Sequence, residues 1–164
     1  MSHSGIFKPK FPEKYKGDPT NIIYRSLWEQ KLMIYLDHHK DVLKWSSEEI
    51  IIPYRSPWDN RVHRYFPDFW CKKVNKHGVQ EEVIIEVKPW SQLFPPDGRK
   101  KYTPKGRKSR RFIREAKTYA INMAKFEAAK SYCESKDMKF IIMTEKDLQP
   151  WKSLKKSGTI QING

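Results

Sequence analysis

Residues 64–88 read RYFPDFWCKKVNKHGVQEEVIIEVK, from Arg64 to Lys88. Aromatic and β-branched residues crowd both ends of this stretch, and Asn75-Lys76-His77-Gly78 lies in its middle. That composition predicts two strands, Arg64–Val74 and Glu81–Lys88, joined by a tight turn. In a hairpin, residues equidistant from the turn centre face each other, and Asp68 and Glu86 are equidistant from His77. An odd-length turn therefore sets the two carboxylates opposite each other on one face. A register shift of one residue would separate them. Lys88 shares the face of Glu86, because side chains alternate along a strand, and Val87 points the other way.

The surroundings of these charges are apolar: Tyr65-Phe66-Pro67 and Phe69-Trp70 flank Asp68, and Val83-Ile84-Ile85 precede Glu86. Carboxylates in such strands are costly to bury unless they are paired or hold a cation. The plain alternative is a set of surface charges forming cross-strand ion pairs of about 0.2–1 kcal/mol each. Paired hard-oxygen ligands beside a lysine suit phosphodiester hydrolysis, which needs an activated water, a divalent metal and a counter-charge for the developing oxyanion.

Working outward, Ser26-Leu27-Trp28-Glu29 has the pattern of a capping box. Trp28, Leu32, Tyr35 and Leu36 continue it at helical spacing, which predicts a helix from Ser26 to about His38. Ile50–Ile52, before Pro53-Tyr54, reads as a further strand. Phe112, Ala116, Tyr119, Met123 and Phe126 predict a second helix over Ser109–Ser135, and Phe140–Met143 a buried strand. The order is helix, three-strand meander, helix, strand. A helical crossover makes the last two strands parallel, giving an α/β fold (α+β, with a mixed sheet). Residues 1–20 carry Pro9, Pro12 and Pro19 among lysines and read as an extended basic arm. Residues 21–150 form the expected domain, and 151–164 a tail with a short terminal helix or loop before it.

The 164-residue chain has 33 Lys and Arg against 19 Asp and Glu, a formal charge of +14. This imbalance favours a polyanionic partner, nucleic acid first. An anionic membrane is the weaker reading, since no apolar run reaches the roughly 18 residues of a spanning helix and no lipidation signal opens the chain. A soluble intracellular protein is expected. Cys71 and Cys133 lie in predicted regular structure, which suggests two packed, reduced thiols. His38-His39 reads as a solvated helix end. The densest charge is in the basic loop 89–109 and the start of the following helix: Arg99, Lys100, Lys101, Lys105, Arg107, Lys108, Arg110, Arg111 and Arg114. Such a run is either a self-repelling solvated segment or a clamp on the DNA backbone. Trp90 and Tyr102, interleaved with it, are candidates for stacking on unpaired bases or for packing.

Pro67-Asp68 followed by Glu86-Val87-Lys88 resembles the Pro-Asp…(Asp/Glu)-x-Lys signature of restriction-endonuclease-like nucleases, and Glu29 fits the extra acid found in many members. A narrower likeness runs through Lys14-Tyr15-Lys16-Gly17-Asp18-Pro19, Tyr24–Glu29, Ile52-Pro53-Tyr54 and Arg64–Asp68. These residues resemble the head-completion nucleases of T4-type tailed phages, a family similar in turn to TnsA-like transposon-end nucleases. The resemblance implies a restriction-endonuclease-like core in which Asp68, Glu86 and the Val87 carbonyl hold Mg²⁺, or Mn²⁺. It further implies that Lys88 positions the attacking water or steadies the charge in flight, and that Glu29 completes the metal shell, orients a water or only caps its helix. Phage DNA would be the substrate during head completion, with portal or neck proteins as partners, in the host cytoplasm or the virion. Competing readings are a transposon-end nuclease or junction resolvase on the same fold, a non-catalytic DNA-binding neck protein, and a basic RNA-binding module. The last gives no account of Asp68, Glu86 and Lys88.

Overall fold

The computed structural model describes residues 3–148. In chain order its elements are β1 (Gly5–Phe7), β2 (Ile22–Tyr24), α1 (Leu27–His38), β3 (Val42–Ser47), β4 (Ile52–Arg55) and β5 (Val62–Tyr65). They continue with β6 (Phe69–Val74), β7 (Gln80–Val87), α2 (Arg110–Ser135), β8 (Lys139–Met143) and α3 (Glu145–Leu148). The central sheet has the order β3-β6-β7-β8. Its first three strands are antiparallel and β8 is parallel to β7, the mixed arrangement the helical crossover implied.

Each helix starts where its cap directs. The Ser26 hydroxyl oxygen accepts the Glu29 amide at 3.1 Å and the Ser109 hydroxyl oxygen that of Phe112 at 3.2 Å, each satisfying a donor the helix itself leaves unpaired. Leu32, Met33 and Leu36 of α1 cover one face of the sheet, packing with Phe69, Cys71, Val83 and Ile85. Ala129 and Cys133 of α2 cover the other, with Trp70 and Ile84. Both cysteines are free and buried. Burial pushes the Cys71 thiol up to about 12 and that of Cys133 to about 11, so both stay protonated.

Three expectations change. The strand expected over Arg64–Val74 is two strands, because Pro67 has no amide hydrogen for a ladder and the chain bends at Phe66-Pro67-Asp68. The Ile50–Ile52 strand is realised as β4, and it pairs with β5 in a separate hairpin packed on α2 instead of joining the sheet. The third strand of the meander is β3, whose alternation is hidden by a bulge: Val42 faces Lys73 but Lys44 faces Lys72.

The first 20 residues also do more than extend. β1 pairs with β2, and Phe7 and Tyr15 are buried in the α1-side core. The Asp37 carboxylate, fully buried, accepts the amides of Lys10 and Phe11 at 2.8 and 3.2 Å. Lys14 Nζ donates to the Asp37 and His39 carbonyls at the end of α1. The terminal helix expectation is met by α3 only as far as Leu148, and the predicted tail, 151–164, lies outside the described residues. Among those described, no helix is long and apolar enough to cross a membrane.

Candidate active site

The turn between β6 and β7 decides where the carboxylates go. Asn75 accepts the His77 and Val79 amides on its side-chain oxygen, and Gly78 takes a left-handed φ of 76°, which a side chain would resist. Five residues separate the strands, with His77 at the centre. The ladder runs from Val74↔Gln80 to Phe69↔Ile85. One step beyond its last pair, on the α2 side of the sheet, come Asp68 and Glu86.

The two are locked together. The Asp68 amide donates to Glu86 Oε2 at 3.3 Å, and the Val87 amide donates to Asp68 Oδ2 at 2.7 Å. The Tyr65 hydroxyl donates to Glu86 Oε2 at 2.6 Å. Lys88 Nζ lies 3.1 Å from Glu86 Oε1, and the Lys88 amide holds the Met143 carbonyl of β8 at 2.9 Å. Glu86 is only 3% exposed. Burial, then the neighbouring Glu86 charge, hold the Asp68 carboxyl well above the usual carboxylate range. Glu29 adds to this, and the Val87 amide and Lys88 oppose it.

Glu29 does what its capping position requires. Its carboxylate receives the Arg25 amide at 2.9 Å and the Ser26 hydroxyl at 3.4 Å. It is nevertheless near enough to Asp68 to repel it. Among the described residues no three His, Cys, Asp or Glu side chains form a metal-ligand cluster. A cation here would draw on two carboxylates and a main-chain oxygen such as that of Val87. A buried carboxylate, Glu86, beside a half-buried one, Asp68, whose charge is electrostatically unfavourable, offers hard-oxygen donors that fit a divalent ion.

Sequence reasoning missed three residues around this centre. Tyr65, inside the opening stretch, is read as strand core but spends its hydroxyl on Glu86. Glu48, at a left-handed φ of 55°, donates its amide to the Asp68 carbonyl at 3.1 Å and pairs with Arg25 at 2.6 Å. A non-glycine residue held there is strained, and such strain clusters at functional positions. Lys125 of α2 places its ammonium 5.6 and 5.5 Å from the ring centres of Tyr54 and Tyr65. Its only sequence signal is a lysine edging an apolar stripe.

The basic segment is less simple than an open loop. All nine of its cations are exposed. The Thr103 amide reaches the Arg107 carbonyl and the Ser109 amide that of Lys101, folding a small turned structure. Two cations are neutralised by acids flanking the run: Arg99 grips Asp97 through Nε and Nη2 at 2.9–3.1 Å, and Arg111 Nε meets Glu115 at 2.7 Å. Tyr102 is exposed. Trp90 is exposed too, with Lys146 Nζ 3.7 Å from its ring centre and the Phe94 ring centre at 5.2 Å.

A mixed four-stranded sheet with two carboxylates and a lysine at the break of its central hairpin defines an endonuclease of the restriction-endonuclease-like class. The family described as TnsA-like endonuclease N terminal matches residues 39–145. The head completion nuclease of Enterobacteria phage T4 is 37% identical over 149 residues, covering 91% of this chain and 95% of the relative. The chain belongs to the family of these phage head-completion nucleases.

Proposed function

We propose that this protein is a divalent-metal-dependent DNA endonuclease that trims or cuts phage genomic DNA during head completion, before the tail joins. The observation that carries the reading is the Asp68–Glu86 pair: like charges placed opposite each other, Glu86 buried and Asp68 half-buried, where ordinary strand chemistry disfavours them. Asp68, Glu86 and the Val87 carbonyl would hold Mg²⁺, with Mn²⁺ as a substitute. When bound, the ion supplies Lewis acidity toward the phosphate and lowers the pKa of water.

The chain's own residues supply the rest. Tyr65 and the Asp68 and Val87 amides fix the carboxylate rotamers, so the site is formed before substrate arrives. Lys88, held by Glu86, orients the attacking water or stabilises the charge that builds on the phosphate. Glu29 caps α1 and adds negative charge at the rim. Arg99, Lys100, Lys101, Lys105, Arg107, Lys108, Arg110, Arg111 and Arg114 contact phosphates without reading sequence, with Arg99 and Arg111 weakened by their carboxylate partners. The work would take place in the host cytoplasm or at the head vertex, with portal or neck proteins as neighbours. The test is cleavage of linear and branched duplex in Mg²⁺ by the native protein and by Asp68→Asn. Cleavage that disappears with the substitution supports the reading, and equal cleavage by both proteins contradicts it.

A further inference from the structure

Lys125 lies on α2 at the border between the buried stripe and solvent, partly covered, with its ammonium over the faces of Tyr54 and Tyr65. The Tyr65 hydroxyl is the group that holds Glu86, so the ammonium stands beside the carboxylate centre on the α2 side. Among the described residues Lys125 has no carboxylate within ion-pair distance, whereas Lys88 is already engaged by Glu86. Partial desolvation, reinforced by the like charge of Lys88, lowers the Lys125 pKa, with Glu86 and Asp68 countering it. A half-buried ammonium held by two ring faces and no ion pair is charge kept in place at a cost.

The residue also ends a row. Arg110, Arg114, Lys117 and Lys125 recur at helical spacing, so they share one side of α2. Lys117 repeats the same motif with the neighbouring hairpin: its Nζ sits 4.8 Å from the ring centre of Trp58, which is exposed between β4 and β5. The row spans about 22 Å at 1.5 Å per residue, or about six base pairs of duplex at 3.4 Å each. It leads from the basic segment to the two carboxylates.

We propose that Lys125 is a second phosphate-binding cation of the active site, contacting a non-bridging phosphate oxygen of the DNA strand that enters along α2. This deepens the nuclease reading and rests on it. Lys88 remains the lysine of the carboxylate centre, and Lys125 seats the backbone beside it, with Lys117 and Trp58 steering the strand further out.

The test compares Lys125→Met, which keeps the stem and loses the charge, with Lys125→Arg. A labelled linear duplex is used to measure binding against salt in EDTA and single-turnover cleavage in Mg²⁺. The Met variant is expected to melt at or above the native temperature, to need the same Mg²⁺ concentration for half-maximal rate, and to cleave at least about tenfold more slowly. Its salt slope should fall by about one unit, the share of one phosphate contact. Arg should restore most of both losses. Native binding and cleavage by Lys125→Met overturn the proposal. So does a rate loss that follows a lowered melting temperature with the salt slope unchanged, since that is the signature of packing. Absence of cleavage by the native protein itself, in Mg²⁺ or Mn²⁺, fails the nuclease reading, and the salt slope in EDTA still decides whether Lys125 meets a phosphate.

Discussion

The two ends of the β6–β7 hairpin carry charge in opposite ways. Near the turn, Lys73 faces Glu81 in register, their charged atoms 3.7 Å apart, and Lys139 of β8 joins Glu81 at 2.7 Å. Burial alone pushes the Glu81 carboxyl up, but the Lys139 hydrogen bond and the two lysine charges outweigh it and hold the group below its usual range. At the far end the opposed residues are both acids, and Asp68 is held above its usual range by burial and by its neighbour. Opposite charges across strands are what a sheet uses to hold itself together. Facing carboxylates, interlocked by amides and a tyrosine, work against the metal-free fold. The same hairpin thus shows a structural ion pair and, at its other end, the facing acids that we propose as a cation site.

The largest effect that breaks this comparison is Asp68→Asn. A bound ion supplies several kcal/mol to phosphodiester cleavage, so removing the charge proposed to hold it is expected to cut the rate by about a thousandfold or more. Lys88→Ala should lose about a hundredfold, and its Mg²⁺ requirement should stay native. Steady-state cleavage against Mg²⁺ concentration separates the two, and an identical shift in metal requirement for both variants would contradict their separate roles.

An intermediate effect belongs to the exposed cations. Replacing Arg107, Lys108 and Arg110 by Ala should flatten the salt dependence of DNA binding by up to about three units, nearly one for each phosphate contact. Replacing Arg99 and Arg111, already held by Asp97 and Glu115, should change it less. Equal losses from the two sets would show that the flanking carboxylates release their partners to DNA.

The smallest effects are in stability, and they have opposite signs at the two ends. In EDTA, Asp68→Asn should raise the melting temperature by about 2–4 °C, the shift that roughly 1 kcal/mol gives at this size. A raised pKa means that the native Asp68 favours folding at acid pH and loses that contribution as pH rises through the raised value. The gain from Asn should therefore grow as pH rises from the ordinary carboxylate range through the raised native value. Glu81→Gln should lower the melting temperature at neutral pH by less than about 1 kcal/mol's worth. Its lowered pKa means that the contribution disappears on acidification, so the difference from the native protein should shrink in acid. Melting scans across pH check both, and matching trends at the two ends would remove the distinction between them.

Much of this was legible because local chemistry and tertiary structure agree. The cap at Ser26, the start of α2 near Ser109, the turn centred on His77 and the parallel crossover from β7 to β8 are all written in short-range pattern. So were the opposed Asp68 and Glu86, since register follows from turn length. What stayed hidden was non-local. The bulge at Leu43 broke the alternation of β3, and Pro67 was embedded in a run that otherwise reads as one strand. The anchoring of residues 5–15 depends on Asp37, a buried acid on a helix face that periodicity cannot distinguish from a solvated one. Tyr65, Glu48 and Lys125 reach the centre only because three separate elements converge there, and no spacing in the sequence records that convergence.

Whether the facing carboxylates at the break of this hairpin hold a cation is read from a Mn²⁺-soaked crystal measured at a wavelength where manganese scatters anomalously. One strong peak is expected within coordination distance of Asp68, Glu86 and the Val87 carbonyl, absent from Asp68→Asn crystals soaked alongside. A native crystal that cleaves DNA in Mn²⁺ when redissolved, yet shows no peak between these carboxylates, would contradict it.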